Sequence, residues 1–271
     1  MPELPEVEST RRDLEREVVG CTIAKVVVRD RRLRWPVPVV LPRKLTGRAI
    51  GSVWRRAKYL LMGVGSGTAL VHLGMSGSLR LFDAPAMPRP HDHLDIILDD
   101  GRCLRYHDPR RFGCWLWTDR DPLRHRLLVH LGAEPLDPGF DGAWLHTRLR
   151  GRTAPIKNLL MDSRIVAGVG NIYATEALFI AGIDPRRAGG RISRRRIDWL
   201  VDAVRQVLSV AVEAGGTTLR DYARTDGAEG GFASRLSVYG RLGEPCPRCA
   251  TPIAKTVLGQ RTTWYCRQCQ R

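Results

Sequence analysis

Tyr59-Leu60-Leu61-Met62-Gly63-Val64-Gly65-Ser66-Gly67-Thr68-Ala69-Leu70-Val71-His72-Leu73 decides the architecture of this 271-residue chain. Two apolar runs flank a Gly-Ser-Gly break, the pattern of a β-hairpin. Similar short runs recur on either side, at 22–29, 50–56, 78–82, 94–98, 102–106 and 114–117. Asp99-Asp100-Gly101 marks a second hairpin. With 59–64 and 68–73 these make eight short strands, and eight at this spacing predict a β-sandwich.

Ahead of the strands, residues 5–19 read as an amphipathic helix. Val7, Leu14 and Val18 share one stripe, Arg11, Arg12, Asp13 and Glu15 lie off it, and Gly20 ends it. The chain opens Met1-Pro2-Glu3-Leu4-Pro5. Removal of Met1 would leave Pro2 with a free secondary amine. An α-amino group titrates near neutral pH, so part of it is unprotonated and nucleophilic. Attack on an aldehyde-like carbon gives an iminium ion, and the Glu3 carboxyl stands beside it to move a proton. Taken by itself, the stretch reads first as two prolines starting a helix, and only the rest of the chain brings the amine chemistry forward.

Beyond the strands, 119–140 is rich in Pro, Asp and Gly and reads as a linker. Helices follow at 143–149, from near Pro155, and over 172–181 with Asn171 as cap. Ile197, Leu200, Val201, Val204, Leu208, Ala211 and Val212 trace a further helical stripe that Gly215-Gly216 stops. Residues 217–231 show no periodicity and read as a mobile loop. The expected class is α+β: an N-terminal helix plus β-sandwich domain over 1–118, a linker over 119–140, a helical domain over 141–232, and a zinc ribbon over 233–271.

Charge narrows the function. Lys and Arg number 44 against 28 Asp and Glu, a net +16, with a pI near 10.3. A polyanionic partner is implied, nucleic acid first and an anionic membrane surface second. The acidic N-terminus predicts no secretory leader, and no apolar run is long enough to span a bilayer. Cys21, Cys103 and Cys114 are scattered, which suits reduced thiols in a cytosol.

The other four cysteines stand as Cys246-x2-Cys249-x16-Cys266-x2-Cys269. Four thiolates so spaced close a tetrahedral site on two turns, a zinc ribbon holding one structural Zn2+. Disulfide pairing is the alternative, disfavoured by the cytosolic cysteine pattern. Pro245-Cys246-x-x-Cys249 also matches half of a nucleoside-deaminase signature, but its His-x-Glu half is missing and four cysteines leave no open position for water. Arg261, flanked by Gln260 and Thr262, falls near the fingertip, where a cation can reach a phosphate; alone it reads as a solvated arginine. Gly168-Val169-Gly170-Asn171 before a helix can hold an anion, and with Lys157 upstream it looks like a helix–two-turn–helix element. Asp108-Pro109-Arg110-Arg111-Phe112-Gly113 puts two cations and an aromatic on a turn, with Phe112 either core or a wedge for a base stack. Met75 is flanked by glycines. Lys58 follows Arg55-Arg56 and in isolation is a surface lysine.

These motifs, in this order, resemble the bacterial formamidopyrimidine-DNA glycosylases. The likeness rests on Pro2-Glu3-Leu4-Pro5-Glu6-Val7-Glu8, Arg56-Ala57-Lys58-Tyr59-Leu60-Leu61, His72-Leu73-Gly74-Met75-Ser76-Gly77, Asp108 to Gly113, Gly168-Val169-Gly170-Asn171-Ile172-Tyr173 and Tyr265-Cys266-Arg267-Gln268-Cys269. The resemblance implies a monomeric bacterial enzyme, cytoplasmic and nucleoid-associated, that excises oxidised purines from double-stranded DNA and cleaves the abasic site by β,δ-elimination. It implies Pro2 as nucleophile, Glu3 as proton donor to the sugar ring oxygen, Lys58 for β-elimination and Arg261 for the second elimination. It implies DNA contacts at His91, Arg110, Arg152, Lys157 and Asn171, gap filling by Met75 and Phe112 with Arg110, and metal ligation by Cys246, Cys249, Cys266 and Cys269. Two alternatives compete: the related endonuclease VIII type, which prefers oxidised pyrimidines, and a non-catalytic DNA-binding protein on the same scaffold. The chain departs from the family's pattern at Pro155 and Gly231.

Overall fold

The computed structural model describes residues 2–218 and 224–271. Two compact units emerge: Met1–Val129 with Val212–Ala233, and His130–Ala211 with Ser234–Arg271.

In the first unit every expected run is a strand. One sheet holds β1 (Ile23–Val28), β5 (Ser78–Phe82), β6 (Asp92–Leu98) and β7 (Cys103–His107) in the order β1-β6-β7-β5. The other holds β2 (Ile50–Arg56), β3 (Tyr59–Val64), β4 (Gly67–His72) and β8 (Cys114–Thr118) in the order β2-β3-β4-β8. Pairing is antiparallel throughout. Side chains alternating along the strands, among them Leu60, Met62, Val64, Leu94, Ile96 and Leu104, meet in one buried core. This is the sandwich that the apolar runs predict.

The β3–β4 hairpin is tighter than its glycines suggest. Val64 pairs with Gly67, so only Gly65 and Ser66 turn, with Gly65 at φ +57°. Gly67 belongs to the strand through its pairing with Val64, and it is glycine because a Cβ there would collide with the Trp117 indole on β8.

The first helix, α1 (Leu4–Val18), presents Leu4, Val7, Leu14 and Val18 as a buried stripe. Glu8–Arg11 and Arg11–Glu15 pairs line its outer side. Gly20, at φ +92°, follows its cap as the glycine pattern predicts. The sequence reading misses α2 (Leu41–Leu45), a single turn whose two buried leucines are too few to show periodicity.

The second unit carries α3 (Gly142–Leu149), α4 (Ile156–Met161), α5 (Asn171–Ile180), α6 (Arg194–Glu213) and a hairpin of β9 (Ala254–Leu258) and β10 (Arg261–Tyr265). Asp141 caps α3, its Oδ1 accepting the Trp144 N–H at 2.7 Å. The expected stripe from Ile197 to Val212 is buried along α6. Asn171 does not cap α5: Gly170 holds that position, and the Asn171 side chain is engaged by Lys157. The expected loop at 217–231 lies partly outside the described residues, its described ends bridging at Thr217 and Gly231. Among the described residues no helix is long and apolar enough to cross a membrane.

Candidate active site

In the first unit the start of α1 is built to hold the amino terminus. Pro2 and Glu3 are both buried. Glu3 and Glu6 form a capping box, with the Glu3 N–H donating to Glu6 Oε2 at 2.7 Å. The second Glu6 oxygen accepts the Thr217 N–H, also at 2.7 Å. Glu6 thus fixes the backbone next to Pro2, and a carboxylate in the first turn suits the helix dipole.

One turn further on, Glu8 meets Arg55 at 3.0 Å, and Arg55 Nη1 donates to the Ala57 carbonyl at 2.8 Å. Burial works to raise the Glu8 carboxyl, but Arg11 and Arg55 outweigh it and hold it below the usual carboxylate range. Ala57 lies at φ +53° on the β2–β3 turn, and Lys58 is the next residue. The Glu8–Arg55 pair therefore ties the helix of Pro2 to the turn of Lys58.

The charge of Lys58 is felt at His72, at the end of β4. Loss of water around the imidazole, reinforced by the charges of Lys58 and Arg34, lowers His72 to about 4. Neutral His72 accepts the Gly74 N–H on its Nδ1 at 2.9 Å, which braces the turn carrying Met75. Gly74, at φ +65°, lies so close to the next loop that a Cβ would stand 2.5 Å from the Phe112 carbonyl carbon. Ser76, on the same turn as Met75, donates to Asp108 Oδ1 at 2.9 Å. Phe112 is 44% exposed, which sets it apart from core aromatics, and the Arg110 guanidinium lies 4.9 Å over its ring. His91, exposed at φ +73°, joins the group through its carbonyl, which accepts the Asp108 N–H at 3.1 Å.

In the second unit Lys157 is fully buried. Its ammonium donates to Asn171 Oδ1 at 2.5 Å, Thr263 Oγ1 at 2.6 Å and the Thr262 carbonyl at 3.3 Å. It joins α4, α5 and β10, a clasp between two helices and the hairpin, where the resemblance implied a phosphate contact. Arg261 is exposed, directly preceding Thr262, after Gln260 at φ +61°. Arg152 is exposed on the loop after α3, outside this cluster.

The four cysteine sulfurs all lie within 4.8 Å of one another. Cys246 to Cys269 is 3.9 Å and Cys249 to Cys266 is 3.5 Å. Tetrahedral zinc with bonds near 2.3 Å sets its sulfurs about 3.8 Å apart. The spacing and the all-thiolate donor set fit a structural Zn2+, and four ligands leave no place for a catalytic water. Phe179, Val238 and Ile253 pack around Cys246 and Cys266.

His72, Ser76 and Asp108 have no role legible in the sequence beyond their proximity to Met75 and Phe112 in the chain. The Ser76–Asp108 bond, across 32 residues, is visible only in the fold.

Comparison with known proteins agrees with this geometry. Family models described as the formamidopyrimidine-DNA glycosylase N-terminal domain, the H2TH domain of the same enzymes, and a zinc finger found in FPG and IleRS match residues 1–115, 131–223 and 243–271. The chain is 55% identical to the formamidopyrimidine-DNA glycosylases of Thioalkalivibrio sulfidiphilus and Methylococcus capsulatus, over the whole of both chains in each case. Among solved structures, the MutM (Fpg) protein of Thermus thermophilus matches with a TM-score of 0.88 and 43% identity, covering 99% of this chain and 98% of that one. Lactococcus lactis Fpg in complex with DNA containing an abasic site matches with a TM-score of 0.92 and 35% identity over 99% of each. Ordered motifs, sandwich, clasped helices and cysteine cluster have one common explanation: the chain belongs to the formamidopyrimidine-DNA glycosylase family.

Proposed function

We propose that this DNA glycosylase, which removes oxidised purines in base excision repair and also acts as an abasic-site lyase, works through the Pro2 nitrogen. The observation that carries the reading is the fixed start of α1. Glu6 grips the backbone beside Pro2, and the Glu8–Arg55 pair links the helix to the Lys58 turn. With Met1 removed, the Pro2 nitrogen attacks C1′ of the damaged nucleotide and the bond to the base breaks. Glu3 protonates the ring oxygen, the ring opens and an iminium forms. The iminium acidifies the C2′ proton; its loss, assisted by Lys58, expels the 3′ phosphate. Arg261 serves the second elimination, which releases the 5′ phosphate.

The reacting carbon is out of reach inside a duplex, so the nucleotide must leave the stack. Met75 and Phe112 with Arg110 fill the gap, and His91, Arg152, Lys157 and Asn171 contact the backbone, with the Lys157 clasp also holding Asn171 beside the Arg261 hairpin. By function the chain divides into a catalytic domain over 1–118, a linker over 119–140, a helical DNA-binding domain over 141–232 and a zinc ribbon over 233–271, although by compactness 119–129 and 212–233 group with the sandwich. The enzyme works as a cytoplasmic monomer at the bacterial nucleoid. Cleavage of matched duplexes tests the substrate class. 8-Oxoguanine opposite cytosine is cut faster than thymine glycol; the reverse order would assign the chain to pyrimidine repair.

A further inference from the structure

Three stretches that the proposed mechanism uses separately converge on one buried carboxylate. Asp108 has no exposed surface. Its Oδ1 accepts the Ser76 hydroxyl at 2.9 Å, on the turn of Met75. Its Oδ2 accepts the Gly113 N–H at 2.8 Å, directly after Phe112, and the Tyr106 hydroxyl at 3.2 Å. Its N–H donates to the His91 carbonyl, and its own carbonyl accepts the Arg111 N–H at 3.2 Å and His93 Nε2–H at 2.8 Å. The Ser76 oxygen in turn accepts the Arg110 N–H at 3.2 Å.

The chemistry of this hub is specific. A buried carboxylate with a donor committed to each oxygen, Ser76 and the Gly113 N–H, and the Tyr106 hydroxyl shared with the His72 carbonyl, is held by charge-assisted hydrogen bonds, roughly twice as strong as neutral ones. Losing a partner there leaves a desolvated charge short of a donor. The Met75 turn and the Phe112 loop also touch backbone to backbone at Gly74. Neither can move far without breaking the bonds at Asp108.

We infer that Asp108 is a positioning residue that locks the Met75 turn and the Arg110–Phe112 loop into a single rigid wedge, so that they enter the base stack together. The inference rests on the reading above that Met75 and Phe112 fill the gap. A wedge assembled in advance spends no conformational freedom at insertion, and a displacement of about 1 Å in a positioning element can cost about a hundredfold in rate. The hub is needed where a base must be forced out of the helix. It is needed much less at an abasic site, where no base occupies the stack.

The test uses the full-length zinc-loaded enzyme with Ser76→Ala, Ser76→Thr and Asp108→Asn. Each is measured in single turnover on an 8-oxoguanine·C duplex and on the same duplex carrying an abasic site. Ser76→Ala removes one hydroxyl, so it tests the hub even if Asp108→Asn does not fold. In Ser76→Ala the ratio of base excision to abasic cleavage falls about tenfold or more, and Ser76→Thr, which keeps the hydroxyl, restores it. Stopped-flow fluorescence of 2-aminopurine next to the lesion slows in parallel, since it reports stack opening. Equal slowing on both substrates would mean loss of general stability and would overturn the inference. Met75→Ala and Phe112→Ala separate the two levels. If they slow excision while the Ser76 and Asp108 variants leave the ratio unchanged, the hub is wrong and the wedge reading stands. If neither slows excision, the wedge reading itself fails.

Discussion

At the scale of single residues, burial sets the protonation state of the imidazole that braces the Met75 turn, His72. Its neutral ring accepts the Gly74 N–H, and its value near 4 lies below the ordinary 6.5 of histidine. Between these values the unfolded chain binds a proton that the folded one refuses. This contribution to stability is therefore complete above about pH 6.5 and is lost as pH falls toward 4. In thermal unfolding followed across that window, the wild type loses stability more steeply than His72→Asn, whose amide oxygen can accept the Gly74 N–H without titrating. Parallel curves would contradict the assignment. Residue identity alone carried the metal centre, because cysteines at ribbon spacing declare their chemistry locally; a proline in second place beside a glutamate does not, since alone it reads as a helix start. The internal partners of Lys157 were not legible: near a glycine-rich helix start a lysine reads as a phosphate ligand, and nothing nearby reveals that Thr263, 106 positions away in the chain, also accepts its ammonium.

At the scale of elements, strands and long helices were legible because their periodicity spans many residues. The eight sandwich strands and α6 follow their apolar patterns closely. The single-turn α2 and the cap of α5 were not legible, because a short element is decided by its neighbours. The zinc hairpin is the element whose stability is easiest to isolate. Its strands have five residues each and its apolar cluster is small. Zinc contributes about 10–16 kcal/mol of apparent binding free energy to such modules, more than this small core can replace. The bound metal therefore decides whether Arg261 has a defined position. Removing zinc with a chelator abolishes protection of the 254–265 backbone in hydrogen exchange and weakens DNA binding, while the β-sandwich stays protected. A hairpin that remains protected without metal would contradict the structural role.

At the scale of the whole molecule, the net charge of +16 makes DNA association an electrostatic event before it is a chemical one. Each neutralised phosphate contributes roughly −0.9 to the slope of log affinity against log salt. With Lys58, His91, Arg110, Arg152 and Arg261 as proposed contact or catalytic groups, the measured slope is several times that value. A nearly flat salt response would remove the backbone contacts from the account. The central claim remains covalent: a bond between the amino-terminal nitrogen and a sugar carbon. It is tested most directly by sodium borohydride reduction during the reaction with an 8-oxoguanine duplex, followed by peptide mass spectrometry. The account predicts a deoxyribose remnant on Pro2 of a chain that lacks Met1. An adduct on a lysine, or strand cleavage with no adduct at all, would contradict it.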